Sequence, residues 1–273
     1  MLTAALGLER ARLVALCGAG GKTTLMFALA REWAGAGERV LVTTTTKIAR
    51  SEAAGPWPTV AAGSAEELLA HARRLFEQGG GALVAYAGAG RADGKLAGLA
   101  PELVDRLKPA ACFDRILVEA DGSARRPLKA PAAHEPVVPA SSDAVIVVAG
   151  LNGLGRPLSA DNLFRPEIWA QRTGLAPGAP ISAESLAAIA LEPEGLTKGC
   201  PARARRVLFL NRADTPDRRT AALRIALRIA AARGTTLHRV VAGCLLPAPA
   251  LAALAAFDPP HAPAAGERLA PRR

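Results

Sequence analysis

The sequence has few aromatic residues, few cysteines and no long apolar run. Phe, Trp and Tyr make up 4% of its 273 residues, whereas apolar residues make up 50% and charged residues 21%. This balance excludes an intrinsically disordered chain and requires a core built mainly from Ala, Leu and Val. We therefore expect a globular protein.

No apolar stretch approaches the roughly 18 to 20 residues that a membrane span needs. The N-terminus places Glu9, Arg10 and Arg12 ahead of the first apolar run, which is not the pattern of a cleavable signal. We predict a cytoplasmic protein with no membrane partner.

The four cysteines, Cys17, Cys112, Cys200 and Cys244, lie far apart in the sequence. Without a C-x-x-C pair or histidines at ligand spacing, they argue against a zinc site and against a disulfide framework. We expect them to be small buried apolar residues.

Basic residues outnumber acidic ones by 34 to 24, which gives a net charge of +10. This charge permits an anionic partner such as a nucleotide, a nucleic acid or an acidic protein. Because no arginine-rich run is interleaved with aromatic residues, nucleic-acid binding is not expected.

Short apolar runs alternate with helical patterns along the chain, which predicts an α/β fold with a doubly wound, mostly parallel sheet. Ser64, with Glu67 three residues later, forms a capping box at the start of one predicted helix. Strands are predicted at 12–17, 39–44, 82–86, 113–119, 143–149, 206–210 and 239–245. Helices are predicted at 22–34, 64–78, 101–108, 166–173, 183–191 and 216–233.

The predicted elements give one α/β domain over residues 1–257, in which residues 151–200 have the character of a helical insertion. The segment 88–98 is predicted to be a Gly-rich loop or hairpin. Residues 258–273 are rich in proline and offer little to bury, so we predict a disordered tail.

A glycine-rich segment between the first strand and the next helix predicts a phosphate-binding loop. Backbone N–H groups of such a loop surround phosphate oxygens, and the helix N-terminus adds positive potential. Lys22, expected to be exposed and catalytic, would reach the outer phosphates, and Thr23 would bind Mg²⁺. The candidate nucleotide-binding residues here are Gly18, Ala19, Gly20, Gly21, Lys22, Thr23 and Thr24.

The alternative, a Gly-rich turn with an incidental lysine, is disfavoured by the flanking strand and helix. The loop departs from a Walker A motif because Leu16 stands where that motif has its first glycine. The remaining G-x-x-G-K-T-T spacing is similar to the shorter loop of Mur-ligase-type ATPases. The loop therefore predicts a P-loop NTPase-like, three-layer α/β/α fold, with Mg²⁺ and either GTP or ATP as cofactors.

The second predicted strand ends in Thr43, Thr44, Thr45 and Thr46, followed by Lys47. Because parallel strands of a doubly wound sheet end at the edge that carries the phosphate loop, these side chains can face phosphates or metal. Threonine is also an ordinary strand residue, so at least two of the four are expected only to pack or cap.

The apolar run 116–118, which follows Arg115, precedes Glu119, Ala120 and Asp121, which is the form of a Walker B strand. One carboxylate can hold Mg²⁺ through water, and the other can orient an attacking water. We predict that Glu119 and Asp121 are catalytic and that they bind the metal together with Thr23. For Asp121 alone, a solvated Asp-Gly turn is the alternative.

The segment Asn211-Arg212-Ala213-Asp214 follows a predicted strand and matches the N-K-x-D motif of GTPases, with Arg212 in place of lysine. A carboxylate at Asp214 would accept hydrogen bonds from N1–H and the exocyclic amine of guanine. Asn211 and Asp214 are therefore candidate base-binding residues. The alternative is a turn before the helix that Thr215 and Pro216 would start.

A basic, Pro-rich stretch between Asp121 and Pro139 contains Arg125, Arg126 and Lys129. At the nucleotide edge it could be a switch that senses the γ-phosphate, or it could hold an anionic second ligand. An ordinary surface loop is the alternative.

Six segments in order, G-A-G-G-K-T-T-L, T-T-T-T-K, V-E-A-D-G-S-A-R-R-P-L-K-A-P, H-E-P-V-V-P, F-R-P-E with T-G-L, and L-N-R-A-D, together resemble the YqeC family. The resemblance runs from about Leu13 to Leu246. It implies a P-loop NTPase-like accessory protein that serves selenium-containing molybdenum cofactor biosynthesis or the maturation of a selenium-dependent molybdenum hydroxylase. The hydroxylase or its cofactor-maturation proteins would then be the partners.

The sequence thus predicts a Mg²⁺-dependent nucleotide-binding protein, a slow NTPase favouring GTP over ATP, that couples nucleotide state to cofactor delivery or insertion. A small-molecule kinase or a Mur-like ATP-dependent ligase is one alternative, since the same loop serves phosphoryl transfer. A non-catalytic module, in which bound nucleotide orders residues 125–135 for a partner, is the other.

Overall fold

The computed structural model describes residues 1–46, 48–49, 57–86, 95–246 and 250–256. The helices are α1 (Leu2–Leu6), α2 (Lys22–Gly35), α3 (Ala65–Glu77), α4 (Pro101–Leu107), α5 (Pro166–Thr173), α6 (Ala183–Leu191) and α7 (Pro216–Ala231), with a short 3-10 turn at Leu151–Gly153. The longer strands are β1 (Leu13–Gly18), β2 (Val40–Thr44), β5 (Ala82–Tyr86), β7 (Arg115–Glu119), β9 (Ala144–Gly150), β11 (Arg205–Asn211), β12 (Arg239–Cys244) and β13 (Ala250–Ala256). The shorter strands are β3 (Ile48–Ala49), β4 (Thr59–Ala61), β6 (Lys95–Leu96), β8 (Leu128–Lys129) and β10 (Leu163–Phe164).

Nine of these strands form one sheet within the described part of the chain, in the order β13-β12-β11-β9-β1-β7-β2-β5-β4. All neighbouring pairs run parallel except β12 and β13, which are antiparallel. The central β1 lies between β9 and β7. The predicted α/β fold with a mostly parallel sheet is confirmed.

Helices cover both faces of the sheet because successive strand residues point to opposite sides. On β9, Val147 packs in the cluster that contains Ile225 of α7, whereas the next residue, Val148, packs in the cluster that contains Leu29 of α2. A third cluster packs α3 and α4 over β5 and β7. Most members of all three clusters are Ala, Leu, Val or Ile, as the composition predicts.

The start of α3 shows how local sequence sets an element boundary. The Ser64 hydroxyl accepts the backbone N–H of Glu67, as the predicted capping box requires. The Glu67 carboxylate instead accepts the N–H of Gly63, at 2.8 Å, one residue before the N-cap.

The sequence did not predict α1 or β13. The five residues of α1 are too few to form a helix alone, and tertiary contacts hold them. Glu32 accepts the N–H groups of Leu2 and Thr3, and the Trp33 indole donates to the Thr3 hydroxyl at 2.8 Å.

Among the described residues, none of the helices combines the length and the apolar character that crossing a bilayer requires. The predicted tail at 258–273, Lys47 and most of the predicted loop at 88–98 lie outside the described residues.

Candidate functional site

A cleft of about 900 Å³ opens at the carboxyl ends of β1, β2, β7, β9 and β11. Its size falls in the range of about 300 to 1,000 Å³ typical of small-molecule sites. The cleft is lined by residues 20–24, 44, 46, 119, 122–127, 135, 152, 164, 165, 211, 212, 245 and 246. The phosphate loop and the end of the Walker B-like strand thus share one wall.

The glycines of the loop are required by close backbone contacts. Gly20 has φ +86°, and a Cβ there would lie 2.6 Å from the carbonyl oxygen of Pro127. Gly21 has φ +132°, and a Cβ there would lie 2.3 Å from the side-chain nitrogen of Asn211. Because Gly21 precedes α2 and provides no capping side chain, the first N–H groups of α2 remain available to an anion.

Lys22 is 4% exposed, so the expectation of an exposed loop lysine is wrong. Its ammonium donates to the carbonyl oxygen of Gly18 at 2.8 Å and lies 3.4 Å from Asp121 and 3.6 Å from Glu119. Burial alone would lower the pKa of Lys22, but the two carboxylates outweigh it and raise that pKa above its usual value. The lysine is therefore held charged beside the phosphate loop.

Thr23 and Glu119 bring together two oxygen-bearing side chains of the kind that can hold Mg²⁺. The Thr23 hydroxyl donates to Glu119 Oε2 at 2.7 Å, and both residues line the cleft. Burial raises the pKa of Glu119, while Lys22 and Thr23 oppose that shift. Mg²⁺ binds few protein oxygens and keeps several waters, so two such ligands beside a phosphate site suffice.

Asp121 lies behind the cleft wall and is 1% exposed. Its Oδ2 accepts the N–H of Gly18 at 3.0 Å and lies 2.9 Å from the ammonium of Lys129. Asp121 thus fixes the backbone at the start of the phosphate loop. This arrangement favours a positioning role over contact with the metal.

The four threonines after β2 divide between packing and lining. The hydroxyls of Thr43 and Thr45 donate to the carbonyl oxygens of Ala85 and Val137. The others, Thr44 and Thr46, line the cleft, and Thr44 also donates to the carbonyl of Glu119.

The predicted base-binding segment reaches the cleft only in part. Asn211 is buried and donates to the carbonyl oxygen of Gly20 at 2.7 Å. Arg212, with φ +64°, lines the cleft beside it. Asp214 is exposed outside the cleft wall, and its carboxylate pairs with Arg218 at 2.5 Å. In this structure Asn211 acts on the loop, and Asp214 is engaged with α7.

Sequence reasoning missed a buried ion-pair network beside the cleft. Lys129 is 2% exposed and lies 2.9 Å from Asp121 and 2.6 Å from Glu135. Glu135 also pairs with Arg165 at 2.5 Å, and the Arg165 guanidinium covers the ring of Phe164. Lys129 lies at the end of β8 and is 6 residues from Glu135, whereas Arg165, directly after β10, is 30 residues from Glu135. A single sequence does not show which acidic residues Lys129 contacts, so no local signal predicted the network.

Comparison with known proteins identifies the family. A family model described as YqeC protein matches residues 14–167. A protein of Escherichia coli (strain K12), named "Uncharacterized protein YqeC", is 38% identical over 204 residues, which are 75% of this chain and 77% of that protein. The chain belongs to the YqeC family. The part that matches the YqeC model contains the phosphate loop, Glu119, Asp121 and the ion-pair network, and it ends before Asn211 and Asp214.

A solved structure of chloroplast FtsY from Physcomitrella patens matches with a TM-score of 0.30 and 13% identity. The match covers 86% of this chain and 60% of the FtsY chain, so this YqeC-family protein spans less than two thirds of that length.

Proposed function

We propose that this protein binds a nucleoside triphosphate with Mg²⁺ and hydrolyses it slowly. The observation that carries the proposal is the convergence of three groups on one cleft wall. The ammonium of Lys22 and the hydroxyl of Thr23 both lie against Glu119, with distances of 3.6 Å and 2.7 Å. A cation, a hydroxyl and a carboxylate beside a glycine loop are the groups that phosphoryl chemistry uses.

The phosphate chain would lie along the loop, where the N–H groups of residues 20–24 surround its oxygens. Lys22 would exchange its present contacts with Glu119 and Asp121 for the outer phosphates. Asp121 would keep its hydrogen bond to Gly18 and so hold the loop in place. The buried setting strengthens each of these electrostatic contacts.

Thr23 and Glu119 would hold Mg²⁺. When bound there, the metal neutralises charge that develops on the phosphate oxygens. Glu119 would also orient a water molecule toward the terminal phosphate.

For the base, GTP preference is the finer proposal. Arg212 lines the cleft at the end of β11, where the stem of a basic side chain can lie along a base. Asp214 would contact guanine only after its pair with Arg218 opens. That pair is exposed on the surface, so opening it costs little.

At the level of the cell, we propose that nucleotide turnover serves the selenium-containing molybdenum cofactor or its insertion into a molybdenum hydroxylase. The support for this role is the YqeC-family membership, together with a cleft suited to a nucleotide. A hydroxylase or a cofactor-maturation protein would be the partner.

The test is release of inorganic phosphate from GTP and from ATP by the purified protein, with and without Mg²⁺. We expect slow turnover that requires Mg²⁺ and disappears in Glu119→Gln. Turnover that is unchanged in that variant, or unchanged after Mg²⁺ is removed, would contradict the proposal. Nucleotide binding without any turnover would instead indicate a nucleotide-switched binding module.

A further inference from the structure

The wall of the cleft formed by residues 122–127, Phe164 and Arg165 contains three arginines. We call it the arginine wall. Among the described residues that line the cleft, five side chains are cationic and two are carboxylates. The cations are Lys22, Arg125, Arg126, Arg165 and Arg212, and the carboxylates are Glu119 and Glu135.

Part of this charge is already neutralised inside the protein. In the buried network, three cations alternate with three carboxylates at ion-pair distance. The cations are Lys22, Lys129 and Arg165, and the carboxylates are Glu119, Asp121 and Glu135. Outside this network, Arg126 of the arginine wall and Arg212 are further cations of the cleft lining.

Arg126 is oriented by the described part of the protein but is only weakly neutralised by it. Its Nε donates to the carbonyl oxygen of Ala160 at 2.7 Å, which fixes the direction of the guanidinium. Its nearest carboxylate in the described chain, Asp161, lies 3.9 Å away and is 92% exposed, so solvent screens that pair. The remaining N–H donors suit a phosphate or a carboxylate, which arginine binds with two hydrogen bonds.

The arginine wall lies against the phosphate loop. The carbonyl oxygen of Pro127 accepts the N–H of Gly150 at 2.9 Å, and it is one of three atoms that a Cβ on Gly20 would meet at 2.6 Å. Arg125 and Arg126 directly precede Pro127. An anion on the arginine wall would consequently lie beside the loop that is proposed to hold the triphosphate.

Unfavourable backbone conformations also concentrate here. Five non-glycine residues of the described chain have positive φ, and four of them line the cleft. Three belong to the arginine wall: Ala124 at +46°, Arg125 at +59° and Arg165 at +65°. Such conformations cost about 1 to 3 kcal/mol each and collect at functional sites, where the fold holds side chains in fixed positions.

We propose that the arginine wall binds a second, small anionic ligand, through a phosphate or carboxylate group, next to the terminal phosphate of the nucleotide. This inference rests on the proposed function of the other half of the cleft. The cleft volume, near the upper end of the range for small-molecule sites, accommodates more than one ligand group.

The test is calorimetry on protein saturated with Mg²⁺ and a non-hydrolysable triphosphate analogue. Inorganic phosphate is the phosphate probe, and succinate is the carboxylate probe. We expect one further binding event for at least one probe, weakened roughly tenfold or more in Arg126→Ala, because a charge-assisted hydrogen bond is lost. Arg203→Ala removes an exposed arginine outside the cleft and is the matched control; melting temperatures report on folding.

Two results would overturn the inference and leave the proposed function intact. In the first, neither probe binds the nucleotide-loaded protein. In the second, Arg126→Ala weakens binding of the triphosphate itself and no separate anion event exists, so the arginines serve the phosphates of the nucleotide.

Failure of the analogue to bind the wild type would instead overturn the proposed function. Phosphate titrated into Lys22→Ala then tests the arginine wall alone. If phosphate binds Lys22→Ala and the additional Arg126→Ala substitution abolishes that binding, the anion site is supported. If phosphate does not bind Lys22→Ala, the anion site is contradicted.

Discussion

The side-chain amide of Asn211 donates a hydrogen bond to the carbonyl oxygen of Gly20, at 2.7 Å across 191 residues of sequence. This contact ties the end of β11 to the phosphate loop. It also explains why Gly21 has no side chain, since a Cβ there would meet the same amide nitrogen. Asn211 therefore acts by fixing the shape of the loop.

Asn211→Ala should weaken triphosphate binding about fivefold, because the lost hydrogen bond contributes about 1 kcal/mol. The loss should be equal with and without Mg²⁺, since Asn211 contacts the loop and not the metal pair. Calorimetry under both conditions measures it. A loss of affinity that occurs only with Mg²⁺ would contradict the role of Asn211 in fixing the shape of the loop.

Glu119→Gln should weaken binding of the Mg²⁺-nucleotide complex more than binding of the free nucleotide. The amide removes a negative charge from the proposed metal site but keeps the shape of the side chain. Thr23→Ala should act in the same direction through loss of its hydroxyl. If the dependence of affinity on Mg²⁺ survives in both variants, Thr23 and Glu119 do not hold the metal.

Asp121→Asn should lower the melting temperature more than Glu119→Gln does. The buried carboxylate of Asp121 faces both Lys22 and Lys129, and its removal leaves two buried cations with less compensation. Thermal unfolding of both variants provides the comparison. Equal melting temperatures would contradict the positioning role of Asp121.

The stability of the protein should fall in acid as Glu135 is protonated. Burial alone would raise the pKa of Glu135, but Arg165 and Lys129 outweigh it, and the pKa lies below its ordinary value of 4.5. Because the pKa of Glu135 is lower in the folded protein than in the unfolded chain, ionised Glu135 stabilises the fold at pH values above the pKa of the unfolded chain. This stabilisation is lost as the pH falls through the pKa of the folded protein. Glu135→Gln should reduce the slope of stability against pH below 4.5 in urea unfolding. An unchanged slope would contradict the role of this ion pair.

Base preference tests the segment after β11. Guanine offers two donors to a carboxylate, whereas adenine has an acceptor at N1, and a polar group that is left unpaired where a bound base covers it costs roughly 1 to 3 kcal/mol. GTP should therefore bind on the order of tenfold more tightly than ATP, and Asp214→Asn should shift the preference towards XTP. Arg218→Ala, which frees the Asp214 carboxylate, should preserve the preference for GTP. Equal affinity for GTP and ATP in the wild type would reject the motif.

Most strands and helices could be predicted from the sequence because their signals are local. The bounds of β5, α5 and α6 agree with the predictions to the residue, since each is a continuous periodic run between turn residues. The antiparallel β13 and the short α1 could not be predicted, because long-range pairing and tertiary contacts stabilise them.

The candidate site also combines features that the sequence predicts with features that depend on tertiary contacts. The loop, Lys22, Thr23 and Glu119 could be found from spacing, because a strand followed by a glycine loop and a helix puts them at one sheet edge. The burial of Lys22 and the pairing of Lys129 with Glu135 and Asp121 depend on how separate loops pack. A single sequence contains no periodic signal for such contacts.

Calorimetric titration of GTP and ATP in Mg²⁺, into the wild type and into Lys22→Met, tests nucleotide binding most directly. Methionine keeps much of the buried stem and removes the ammonium, and a cooperative thermal unfolding transition in each protein would confirm that both are folded. One nucleotide should bind per wild-type chain, with at least a tenfold loss of affinity in the variant, because charge-assisted hydrogen bonds to phosphate are lost. Absence of binding to the wild type, or equal affinity in a folded Lys22→Met protein, would contradict nucleotide binding at this loop.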